Sequence, residues 1–72
     1  MSDVEATRRA ALRAVAEAWV YAAEAQRDDL LPELHALRAA YLGAPRQLDS
    51  LREVLDIALD FTQRLKQGPI QS

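Results

Sequence analysis

The sequence predicts an all-α fold, either a small three-helix bundle or a helical hairpin whose first arm is broken by a proline. Three observations carry that expectation. Apolar residues recur at helical spacing in three stretches, and no stretch shows the alternation of a β-strand. Pro32, Gly43, Pro45 and Gly68-Pro69 fall between or after those stretches. The expected helices cover residues 3–28, 32–42 and 46–67, with 1–68 as a single domain and 69–72 as a loose tail.

The first helix is expected to open on Ser2-Asp3-Val4-Glu5, which has capping-box spacing. Val4, Ala11, Leu12, Val15, Ala18, Trp19 and Ala22 fall within one arc at helical periodicity, and Arg9, Arg13, Glu17 and Glu24 fall opposite. Nine alanines lie between Ala6 and Ala25, and Ala10, Ala14, Ala18 and Ala22 form one i, i+4 row. Alanine has the highest helix propensity, and small side chains let a second helix approach closely.

The stretch "RDDLLPE" should end this helix, because Pro32 cannot donate to the carbonyl four residues back. Asp28 or Asp29 is the expected cap of a second helix, which carries Leu34, Leu37 and Tyr41 on one face. Gly43 is expected to close it in the left-handed conformation. Pro45 or Ser50 should open the third helix, since Pro45 suits a first-turn position and Ser50-Leu51-Arg52-Glu53 repeats the capping-box spacing. Its stripe is Leu48, Leu51, Leu55, Ala58, Thr62 and Leu65, broadened by Val54, Leu59 and Phe61. Asp49, Glu53, Asp56 and Asp60 face away, and Gly68-Pro69 should end the helix.

Length and composition restrict the function. A chain of 72 residues buries only about 60% of its unfolded surface, so a lone monomer is marginal. Cysteine is absent, which removes disulfides and thiolate ligands and leaves tight helix packing or association as the source of stability. The start of the chain lacks the charged and apolar regions of a secretory signal, and no apolar run reaches the ~20 residues of a membrane span. A cytoplasmic protein is the expectation.

Catalytic groups are scarce. The one histidine, His35, has no serine beside it in sequence, and Ser2 and Ser50 are better explained as helix caps. No Glu-x-x-His motif and no glycine-rich phosphate loop is present. Neither enzyme activity nor a resident cofactor or metal is expected. A carboxylate-lined metal site assembled between subunits is the weakest of the readings kept.

The stretch "AAYLGAPRQLDSL" superficially resembles the turn of a helix-turn-helix DNA-binding segment. Aligned on Gly43, that pattern's alanine falls on Ala39. Its following apolar positions fall on Asp49 and Arg52, one residue beyond Leu48 and Leu51. One residue is about 100° of helix rotation, which turns the wrong face inward. A net charge of −2 and the acidic face of the third helix oppose phosphate binding. Arg8, Arg9 and Arg13 keep a small dimeric DNA-binding regulator of transcriptional or phage type as the alternative reading.

The positive signal is apolar surface that one stripe cannot accommodate. Val20 and Tyr21 lie about 140° and 120° from the centre of the first helix's core arc, on opposite sides of it. Ile57 lies outside the central arc of the third helix. The leading expectation is therefore a non-enzymatic protein–protein interaction module, associating through apolar faces of the first and third helices. Its expected interface comprises Ala14, Ala18, Trp19, Val20, Tyr21, Ile57 and Phe61. The partner is a second copy, most simply in a dimer, or another protein. Size and helical layout are similar to those of many small bacterial adaptors and co-chaperones, an analogy of fold alone.

Overall fold

The computed structural model describes residues 3–44 and 46–67. Among them 89% are helical, in three α-helices with no strand: α1 (Asp3–Glu24), α2 (Leu31–Leu42) and α3 (Leu48–Gln67). A single 3₁₀ turn, Asp28–Leu30, precedes α2. The Ser2 cap, the Pro45 helix start and the Gly68-Pro69 stop lie outside the described residues, as does the 69–72 tail.

α1 packs mainly on α3, and the contacts fix their direction. One core cluster joins Ala11, Ala14 and Val15 of α1 to Leu51, Val54 and Ala58 of α3. A second joins Ala18 and Ala22 to Leu34, with Phe61 and Leu65 of α3 packed against it. Residue numbers rise together along both helices, so α1 and α3 run parallel. α2 runs back between them, because Leu34 meets the later part of α1 while Leu37 and Tyr41 meet the earlier part. The molecule is elongated, 43 × 20 × 16 Å.

The alanine row is the heart of this packing. Ala11, Ala14, Val15, Ala18 and Ala22 are buried on α1, facing the buried Leu51, Val54, Ala58 and Thr62 of α3. Side chains of this size keep two helices close over their length. They also leave the core thin, since among the described residues only Leu34 and Leu51 of the larger side chains are fully buried. The Thr62 hydroxyl is buried without a hydrogen-bond partner among the described residues. An unsatisfied group of this kind costs about 1–3 kcal/mol.

Ala14 and Ala18, expected at an interface with another chain, are therefore core residues of the chain itself. α3 occupies the face that the sequence leaves open for a partner. Leu12 departs from expectation in the other direction: it falls in the core arc by periodicity, yet is 51% exposed.

The helix ends differ from expectation in four places, each with a local cause. α1 stops at Glu24, well before Pro32, so α1 and α2 are separate helices. Gln26 takes a left-handed φ of 57°, the Gln26 N–H donates to the Ala23 carbonyl at 3.1 Å, and the Arg27 N–H donates to the Ala22 carbonyl at 3.0 Å. These two bonds form a Schellman motif, the closure usually built on glycine. Gly43, the expected left-handed residue, has φ −82° and ψ −4° and continues the right-handed turn. The Gly43 N–H donates to the Ala39 carbonyl at 2.9 Å, which satisfies the end of α2 without a change of hand.

Neither Asp28 nor Asp29 caps α2. Leu30 holds that position without a side-chain bond, and Pro32 sits in the first turn. The Asp29 carboxylate instead accepts two bonds of 3.0 Å from the Arg27 guanidinium. That hydrogen bonding holds Asp29 below the usual carboxylate range and raises Arg27 above its ordinary value. Ser50 is the third residue of α3 rather than its cap. Its hydroxyl donates to the Gln47 side chain at 3.4 Å, while the Leu51 N–H donates to the Gln47 carbonyl at 2.9 Å.

The Gln26 conformation yields a direct prediction. A left-handed non-glycine residue carries about 1–2 kcal/mol of strain. Glycine removes it and loses roughly 0.4–1 kcal/mol through the freer unfolded chain. Gln26→Gly should therefore raise the urea-unfolding free energy by about 0.5–1 kcal/mol. An unchanged or lowered stability would show that the Gln26 side chain contributes more than its backbone costs.

Candidate functional site

Two side-chain stripes face each other across an open groove between α1 and α2. On α1, Leu12, Ala16 and Trp19 follow the i, i+4, i+7 spacing of one helix face. On α2, His35, Arg38 and Leu42 follow i, i+3, i+7. Because these helices run in opposite directions, Trp19 meets His35 at one end and Leu12 lies toward Leu42 at the other. The Trp19 and His35 rings touch edge to face, 5.1 Å between centroids with an 82° interplanar angle.

Val15 and Tyr41 complete the lining, around a volume of about 670 Å³. Leu34 and Leu37 of α2 point into the core, and the small side chain of Ala16 on α1 leaves space between the facing stripes. Leu12 and Leu42 stay 51% and 57% exposed on its edges. A smaller depression continues from it toward the start of α1, where Glu5, Arg8 and Arg9 join Leu12 and Tyr41. The floor is thus apolar and its border carries Arg8, Arg9 and Arg38 against the single acid Glu5.

The seven residues expected at an interface do not form one surface. Ala14 and Ala18 are in the core. Trp19 is half-buried and lies in the groove. Val20 and Tyr21 share a separate shallow dip on α1 with Arg13 and Glu17, and Lys66 of α3 places its Nζ 5.3 Å from the Tyr21 ring centre. Ile57 is half-exposed on α3, and Phe61 is half-buried against the Ala18–Ala22–Leu34 cluster.

Sequence reasoning missed Leu12, Tyr41 and Leu42 as surface residues. One signal was present: α2 is apolar on more than one face, since Leu42 lies about 100° from Tyr41.

Among the described residues no three His, Cys, Asp or Glu side chains gather as a metal site. No helix among them is long and apolar enough to cross a membrane. No protein family, curated protein or solved structure matches the chain.

A groove wall and a core residue should respond differently to substitution. Leu12→Ser and Leu42→Ser should each leave unfolding stability within about 1 kcal/mol of the parent, because half of each side chain is already in water. Leu34→Ala should lower it by about 2–5 kcal/mol. Equal losses in urea titrations would mean that Leu12 and Leu42 are core residues and that the groove is closed in solution.

Proposed function

We propose that the chain is a non-enzymatic protein–protein interaction module whose docking surface is the groove between α1 and α2. The observation that carries this reading is the apolar groove itself, with Leu12 and Leu42 half-exposed on its borders and Trp19 and Tyr41 in its lining. A groove of this kind between two helices suits an amphipathic helix, which lays residues at i, i+3 or i+4 and i+7 along it. Trp19 is the natural anchor, since large aromatic side chains carry much of the energy at such contacts.

This places association on α1 and α2 instead of α1 and α3, whose facing alanines are engaged with each other. The His35 ring is taken up by its edge-to-face contact with Trp19 at the end of the groove. A cytoplasmic setting is part of the same proposal. The alternative, a dimeric DNA-binding regulator, has Arg8, Arg9 and Arg13 in its favour. Against it stand Asp49, Glu53, Asp56 and Asp60, all exposed on α3.

Trp19 is the only tryptophan in the chain and lines the groove, so a change in its fluorescence reports on binding there. At dilute protein, a synthetic tryptophan-free amphipathic helix should change that emission saturably, and Leu12→Glu should abolish the change. Duplex DNA at low ionic strength should leave the emission unaltered. No saturable response to the peptide, or saturable binding of the duplex, would contradict the proposal.

A further inference from the structure

We infer that the helix occupying the α1–α2 groove is α3 of a second copy of this chain, so that copies join groove to ridge. The inference rests on reading the groove as a docking surface, and it names the occupant by charge and shape. Arg8, Arg9 and Arg38 border the groove and make no ion pair among the described residues. Three cations around an apolar floor, in a chain of net charge −2, leave the excess of acids elsewhere on the surface.

Much of that excess lies on the outward side of α3. Asp49, Glu53, Asp56 and Asp60 recur about once per turn, and all are exposed. Among the described residues, the one ion pair these four make is that of Asp60 with Arg64, at 2.9 Å. Ile57, 50% exposed, lies at the edge of this acidic face, with Glu53 four residues before it, Asp60 three residues after it and Arg64 one turn further on.

The ridge is therefore an apolar knob bordered by carboxylates. The groove is an apolar trough bordered by guanidinium groups, which pair with carboxylates through two parallel N–H donors. Both complementary surfaces belong to the same chain but to different sides of it. A contact between them is heterologous, leaving a free groove at one end and a free ridge at the other. Copies joined this way grow beyond a dimer unless the rotation between them closes a ring. The exposed charges make the contact sensitive to salt.

Reciprocal charge reversal tests this directly. One variant carries Arg8→Glu and Arg38→Glu in the groove, and the other carries Glu53→Arg and Asp56→Arg on the ridge. In sedimentation velocity from micromolar concentration upward, the parent chain should pass the dimer mass, and added salt should reverse this. Each variant alone, with its helical circular dichroism intact, should sediment as a monomer. An equimolar mixture should regain assembly, because each variant supplies the charge the other lost.

A variant that loses its helical signal is replaced by its milder form, Arg38→Gln or Asp56→Asn, which should shift self-association to several-fold higher concentration. A parent chain that stays monomeric while the Trp19 peptide titration still saturates would overturn the second copy as occupant and leave the docking groove standing. A monomeric parent with no peptide response would remove both. Variants that assemble as the parent does, or a mixture that stays monomeric, would also overturn the inference.

Discussion

The close approach of α1 to α3 is the constraint on which the rest of this structure depends. A helix faced with Ala11, Ala14, Ala18 and Ala22 buries little apolar area per residue, so it stabilises the fold only against a neighbour that fits tightly along its length. Ala58 and Thr62 provide that fit at the centre of α3. Once these two helices are paired side by side and parallel, the connection between them must travel back along the pair. α2 is that return, and its 12 residues cannot cover both long helices. The exposed groove opens along α2 itself, where Ala16 of α1 faces the side of α2 that Leu34 and Leu37 turn away from.

Much of this was legible in the sequence, for identifiable reasons. Three helices follow from apolar periodicity, and Leu34, Leu37, Leu51 and Ala58 are core residues by the same rule. The orientation of small residues was not legible, because alanine fits a core against its own chain and an interface with another equally well. Ala18 lies in the core arc and yet, with Ala14, suits an interface on that ambiguity, and the packing of α3 buries both inside the chain. The end of α1 escaped for a different reason. A left-handed glutamine has no compositional mark, whereas Pro32 is conspicuous, so the proline drew a boundary that the backbone sets several residues earlier at Gln26.

The site was less legible than the fold. Helical angle sets Val20, Tyr21 and Ile57 apart from the central arcs and leaves Phe61 in the broad stripe of α3, but angle alone does not say which of them share a surface. They lie on different sides of the molecule, with Tyr21 beside Lys66 and Phe61 beside the Leu34 cluster. The groove arises where Leu12 and Trp19 of α1 meet His35 and Leu42 of α2, a pairing set by the direction of α2. Trp19 belongs to both descriptions, being half core and half groove wall. That double role links the thin interior to the exposed surface, since whatever docks there also covers the core.

The central claim is that the alanine row is spent inside the chain while the surface beside it is free. Ala18 and Ala16 lie two residues apart on α1, the first fully buried against α3 and the second exposed in the groove. Urea unfolding of Ala18→Leu and Ala16→Leu compares them directly. The account predicts that Ala18→Leu loses about 1–3 kcal/mol through overpacking, while Ala16→Leu stays within about 0.5 kcal/mol of the parent. An Ala18→Leu protein as stable as the parent would contradict the close helix pair and return the alanine row to the surface.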